Sequence, residues 1–159
     1  MELNVMTEAQ QEEALQILTS RQISQTYMLP DFESTEAAIP LFRRLCDLSR
    51  EEGRFVRGIY EGDLLVGFLN DVEIAGSSIE LGYVIHPEHW GKGYATAALN
   101  TAIRQLFSLG YREVIAAAFA ENTASLRVME KAGMIRMEKT EEIEYRGALH
   151  RCIYYSKRN

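Results

Sequence analysis

The sequence is short of the residues that mark several protein classes. Only two cysteines, Cys46 and Cys152, occur in 159 residues. They lie far apart, with no His or Cys at metal-ligand spacing, which argues against a disulfide framework and against a zinc site. Both read as ordinary thiols of the core or surface, and no metal is expected. With three prolines and one tryptophan there is no Pro-rich linker, and no repeat or low-complexity tract is present. Apolar runs such as Val114 to Ala120 fall far short of the roughly 20 residues that a membrane span requires. The opening MELNVMTEAQ is acidic and polar, unlike a signal peptide. Excess positive charge is lacking too: a formal net charge of -6 argues against a nucleic-acid surface, which would be basic, and leaves cationic partners open.

What remains is a chain whose 47% hydrophobic content suffices for one packed core. The expectation is a single domain spanning residues 1–159, soluble and cytoplasmic, as a monomer or homodimer. Residues 7–20 place Ala14, Leu15, Ile17 and Leu18 on one helical face behind a Thr cap, and residues 34–50 repeat that spacing, with Pro40 expected to start or kink the helix. From Arg54 the period becomes that of strands, FVRGIYEG, LLVGFLNDVEI and SSIELGYVI, an antiparallel meander. Apolar or small residues at 95, 98, 99, 102, 103, 106 and 107 predict a helix over 94–109, stopped by Gly110. VIAAAF (114–119) is apolar without alternation. It predicts a central strand covered on both faces and parallel to the strand at 79–85 through a right-handed crossover. Asn122 can cap a short helix through Lys131, with Gly133 as its stop, and MIRMEKTEEIEY and ALHRCIYYS predict a hairpin about Arg146 and Gly147. The class is a mixed α/β (α+β) fold.

One stretch stands out. HPEHWGKGYATAAL (86–99) puts two glycines, one residue apart, between a strand and a helix. A helix N-terminus presents unpaired N–H groups and the positive end of the peptide dipoles, so such a turn is suited to phosphate. Gly91 and Gly93 would let an anion approach the backbone, Lys92 could add charge, and Tyr94, Ala95 and Thr96 would offer the first helical amides. A merely tight turn would explain the glycines equally well. The Walker pattern is absent, because Lys92 is followed by Gly93 rather than Ser or Thr. The dinucleotide pattern would need Gly where Thr96 stands, although Glu121 imitates its ribose-binding acid.

IELGYVIHPEHWGKGYATAAL, followed by AENTASLRVMEKAGM, resembles the GNAT superfamily of acyl-CoA N-acyltransferases. The nearer likeness is to its RimJ/RimL-like branch, the ribosomal-protein N-acetyltransferases, over about residues 54–155; residues 1–50 match only as two helices. The resemblance implies a GNAT-like fold, with an antiparallel meander, then β-α-β-α with two splayed central parallel strands, then a C-terminal hairpin. It also implies acetyl-CoA as co-substrate, its pyrophosphate on Trp90, Gly91, Lys92, Gly93, Tyr94 and Ala95. Trp90 stands where the family usually has Gln or Arg. Pantetheine would pair with backbone near Val84 and Ile85, and Asn122 and Ser125 would approach the pantetheine arm and the sulfur.

The reaction so implied moves acetyl from a thioester to a primary amine, of a protein N-terminus or a small molecule. The amine must be neutral, and with ordinary pKa values of ~10.4 for lysine and ~7.7 for an α-amine a base is useful to either. On the resemblance, Glu80 is the candidate general base. Strand alternation puts it with Gly82 on one face, and Ile79, Leu81, Tyr83 and Ile85 on the other. A backbone N–H near Val84 or Ile85 could meet the developing oxyanion. Many GNAT members protonate the departing thiolate from a Tyr in the helix after the Asn motif. Here that position is Met129, so Ser125 becomes the candidate donor. His86 and His89 read as rim residues of the loop. Glu138, Glu141, Glu142 and Glu144 read as a solvated face that could also attract a cationic acceptor. The rival classes are a noncatalytic acyl-CoA-binding module, favoured by Met129, and a dinucleotide-binding oxidoreductase.

Overall fold

The structure is a computed structural model that describes residues 1–159. Its strands are β1 (Glu2–Asn4), β2 (Val56–Glu61), β3 (Leu64–Ala75), β4 (Ser78–Ile85), β5 (Glu113–Phe119), β6 (Ile135–Tyr145) and β7 (Ala148–Arg158). They form one seven-stranded sheet in the order β1-β2-β3-β4-β5-β7-β6. All neighbours are antiparallel except β4 and β5, which run parallel. The helices are α1 (Gln11–Leu18), α2 (Arg21–Ser24), α3 (Ile39–Arg50), α4 (Tyr94–Ser108) and α5 (Thr123–Lys131). The expected mixed α/β class, the meander, the parallel pair and the terminal hairpin are all present.

The two faces of the sheet bury separate apolar clusters. On one, Ala98, Leu99, Ala102 and Leu106 of α4 and Met129 of α5 pack on Ile79, Leu81, Val114 and Ala116. On the other, α1 and α3 bring Leu15, Leu18, Phe42 and Leu45 onto Val56, Leu65, Phe68 and Val84. Pro40 lies in the first turn of α3, where its missing N–H leaves no intrahelical bond unmade. The hairpin turn joins Tyr145 to Ala148 through Arg146 and Gly147, both at positive φ (51° and 77°), the backbone of a two-residue turn matched to strand twist.

Three features differ from the sequence reading. β1 and α2 were not expected, being three and four residues long and too short to show a period. Strand β5 is not covered on both faces: Val114, Ala116 and Ala118 are buried, whereas Ile115 and Ala117 are only half-buried. The N-terminal helices rest mainly on β2 and β3, so no helix covers the Ile115 and Ala117 side of β5, which stays partly open. Strand β3 also has a bulge between Asp71 and Glu73. There Asp71 turns inward to accept from Arg54 Nη2 and Nε at 2.6 and 2.9 Å and from the Phe55 N–H at 2.7 Å, and Glu73 comes to stand opposite Glu80.

Candidate active site

The parallel pair is incomplete. Only Ser78–Leu81 of β4 meets Glu113–Ala116 of β5. Beyond Leu81, β4 stays with β3 and β5 with β7, so the sheet opens between them. The N–H of His86 donates to Val66 O at 2.8 Å. By alternation the backbone groups of Val84 also face β3, and those of Tyr83 and Ile85 face the gap. Ile85 O is already taken there by the indole Nε1–H of Trp90, at 2.7 Å. Both Val84 and Ile85 line the resulting cleft, of about 750 Å³. The groups left free for an amide-bearing ligand are those of Tyr83 and the N–H of Ile85, which narrows the expectation based on Val84 and Ile85.

The glycine turn closes one end of this cleft. Gly91 and Gly93 have φ of +74° and +81°, and a Cβ built on either meets nothing within 4 Å. Conformation alone therefore demands glycine at both positions, and the space beside them is open. Gly93 is the N-cap of α4 and no side chain caps the helix. The first helical bond runs from the Ala97 N–H to Gly93 O, at 3.1 Å. The N–H groups of Tyr94, Ala95 and Thr96 are thus turned to the cleft with no acceptor inside the helix, an arrangement suited to an anion. Lys92 is exposed and lies outside the lining. Two cations that the sequence reading did not single out, Arg127 and Lys131, line the cleft from α5. Their i, i+4 spacing on one helical face was the signal available.

Helix α5 supplies the opposite wall. Asn122 Oδ1 accepts from the Ser125 N–H at 3.2 Å, the N-cap expected of it, and both residues line the cleft. Ser125 is not alone: its Oγ lies 2.7 Å from Tyr83 Oη, which also donates to Ser125 O at 3.1 Å. Burial pushes the Tyr83 phenol up to about 12, the Ser125 hydrogen bond opposing. Met129, at the position where the resemblance implies a Tyr in many members, is fully buried in the core.

Glu80 faces the other side of the sheet from Leu81, as alternation requires. It is half-buried beside Glu73, Ile115, Lys139 and Tyr154 in a depression of about 50 Å³, adjoining the point where β4 and β5 part. Desolvation raises its pKa, Lys139 acting against that and Glu73 and Glu141 with it. Next along β4, Gly82 leaves room for Tyr27, whose Oη would come within 3.1 Å of a Cβ there and donates to Asn70 Oδ1 at 2.7 Å. Tyr27 belongs to the segment after α2, which walls the cleft on this side. The hairpin tip holds that segment: Tyr145 Oη donates to Ser24 O at 2.7 Å, and Arg146 pairs with Asp31 at 2.6 Å.

Of the rim histidines, His86 is engaged, its Nδ1 accepting from the Glu88 N–H at 3.1 Å and its Nε2 lying 2.9 Å from Gln16 Oε1. His89 lines the cleft, and desolvation, with Lys92 and His86 nearby, lowers its pKa. The acidic run divides. All four are exposed, but Glu141 accepts from Tyr154 Oη at 2.7 Å, while Glu138, Glu142 and Glu144 alternate to the opposite side of β6.

A half-opened parallel pair with an uncapped helix at its mouth suits an extended, amide-bearing anion. The comparisons with known proteins are more specific. Residues 1–135 match the acetyltransferase (GNAT) domain family, and the chain belongs to it. It is an N-acetyltransferase, with acetyl-CoA as its co-substrate. The uncharacterized N-acetyltransferase YoaA of Bacillus subtilis (strain 168) is 29% identical over 136 residues, 82% of this chain and 77% of that protein. In fold, the chain is similar to a spermidine N-acetyltransferase from Vibrio cholerae solved with CoA and spermine. Its TM-score is 0.82 at 19% identity, covering 99% and 94% of the two chains. It is also similar to RimL, a ribosomal-protein alpha-N acetyltransferase solved with coenzyme A, with TM-score 0.86 at 17% identity over 98% and 92%.

Proposed function

We propose that the protein transfers acetyl from acetyl-CoA to a primary amine by direct attack, within the RimL-like branch of its family, with Glu80 as the general base. The observation that carries this reading is the union of the parted strands and the uncapped α4 N-terminus in one cleft. The cleft fits the co-substrate at both ends. The amides of Tyr94, Ala95 and Thr96, with room beside Gly91 and Gly93, suit a pyrophosphate. Arg127 and Lys131 add positive charge, and the edge left between Tyr83 and Ile85 suits the two amides of pantetheine.

When bound, acetyl-CoA supplies an activated acyl group. The chain's own groups do the rest. The N–H of Tyr83, the gap-facing amide nearer Glu80, can donate to the acyl carbonyl oxygen, which leaves Tyr83 O and the Ile85 N–H to pantetheine. Glu80 takes the amine proton, directly or through water, from the open face of the sheet. Its desolvated setting makes it a stronger base than an exposed carboxylate. Ser125 presents its hydroxyl to the electron pair that the breaking C–S bond leaves on sulfur. Asn122 holds the α5 terminus in register.

The acceptor enters between the Tyr27 segment and the hairpin, over Glu80 and Glu141, which favours a cationic amine or a protein N-terminus. The test is calorimetric titration with acetyl-CoA, followed by thiol release against peptides with free N-termini, polyamines and amino acids. Release that depends on one amine class supports the reading; tight binding without release for any amine overturns it.

A further inference from the structure

The sequence pattern assigns Tyr83 to the apolar face of β4, and its ring does pack against the core cluster there. Its hydroxyl nevertheless reaches the cleft and meets Ser125 twice, at the side-chain oxygen (2.7 Å) and at the backbone carbonyl (3.1 Å). A phenol has one proton, so these are alternatives. If Tyr83 donates to the carbonyl, the Ser125 hydroxyl donates to Tyr83 Oη and is turned away from the cleft. If Tyr83 donates to Ser125 Oγ, the serine proton is free to point elsewhere. The serine has no other side-chain partner, and its amide is fixed by Asn122 at 3.2 Å. The direction of its O–H is therefore set by Tyr83.

We propose that Tyr83 is a positioning residue for acyl transfer: by switching its donation from Ser125 O to Ser125 Oγ it turns the serine O–H toward the sulfur as the C–S bond breaks. This rests on the reading of the cleft given under Proposed function. In the step, the amine nitrogen bonds to the acyl carbon, the C–S bond breaks with its electron pair on sulfur, and the amine proton passes to Glu80. Neither hydroxyl loses its proton. A phenol held this far from water does not ionise readily, and phenolate would have to form if a full proton ran through the pair. Ser125 thus stabilises the thiolate as a hydrogen-bond donor, and solvent protonates the sulfur after release.

The experiment compares wild type, Tyr83→Phe, Ser125→Ala and the double variant in single-turnover thiol release, with acetyl-CoA affinity measured on each by calorimetry. Tyr83→Phe keeps the ring and hence the core packing, and a thermal melt confirms folding. The expected result is a turnover rate lower by about tenfold, the size of one well-made hydrogen bond, with affinity unchanged and the double variant no slower than Ser125→Ala. A purely structural Tyr83 would instead lower the melting temperature, weaken binding and add its effect to that of Ser125→Ala, which overturns the proposal. Absence of amine-dependent release from the wild type overturns both this inference and the function it rests on. Release from wild type with an undiminished Tyr83→Phe overturns this inference alone.

Discussion

Between Ser78 and Leu81, β4 is the hydrogen-bonded neighbour of β5; between Gly82 and Ile85, the same strand has parted from it. The closed half is filled on the helix-covered side by Ile79, Leu81, Val114 and Ala116, each no more than 1% exposed. The open half carries Gly82, a half-buried Tyr83 and a half-buried Ala117, and the Trp90 indole occupies one of its backbone acceptors. The lesson is that one pair of strands can serve stability at one end and recognition at the other. Dense packing holds the first half shut, and in the second each strand keeps only its other neighbour, β3 or β7.

The largest effect is expected at Glu80, on the border between the two halves. Replacement of Glu80 by Gln should lower turnover by about 10²- to 10⁴-fold, the range for a general base. A base must be ionised, and burial raises the Glu80 pKa. Wild-type turnover should therefore fall on acidification at a pH above the ordinary carboxylate range, and a pH-rate profile of the variant should lack that limb. An unchanged limb would remove Glu80 from the role.

Within the closed half, Leu81→Ala should cost about 2–5 kcal/mol of unfolding free energy in urea titration, with acetyl-CoA affinity of the folded fraction unaltered. The open half should respond in the opposite sense. Gly93→Ala puts a Cβ at φ +81°, which costs about 1–2 kcal/mol. It also misaligns the α4 amides, so calorimetry should show affinity reduced by about tenfold. Asn122→Ala removes the α5 cap and should cost about 1 kcal/mol. Smallest of all, Trp90→Phe leaves Ile85 O without its indole donor. A loss of about 0.5–1 kcal/mol is expected, because water can reach that edge. Equal loss of affinity from Leu81→Ala and Gly93→Ala would dissolve the distinction between the halves.

Much of this was legible in the sequence because it rests on period and punctuation. The long helix over 94–109, the Asn122 cap, the strands of the meander and the glycine turn follow from local chemistry. Elements too short to show a period, β1 and α2, were not legible. Nor was the open face of β5, since an unbroken apolar run does not say which of its sides a helix covers. At the candidate site, alternation gave the face of Glu80 correctly and hid Tyr83: a tyrosine can bury its ring with the core and extend its hydroxyl past it. Trp90 shows a similar limit. Its position against the family pattern suggests a substituted phosphate-loop residue, and period and spacing give no sign of its hydrogen bond to Ile85 O, made by a long side chain folding back across the turn.

The free amide edge along Tyr83 and Ile85 has a thermodynamic consequence. Without a partner it is an interior strand edge exposed to solvent, so the protein is less stable alone than when that edge is filled. Any ligand that binds only the folded chain raises its stability by RT ln(1 + [L]/Kd), about 2.7 kcal/mol at a hundredfold excess over Kd. Acetyl-CoA, and any other ligand that fills the same edge, should therefore slow proteolysis of the chain in proportion to its saturation.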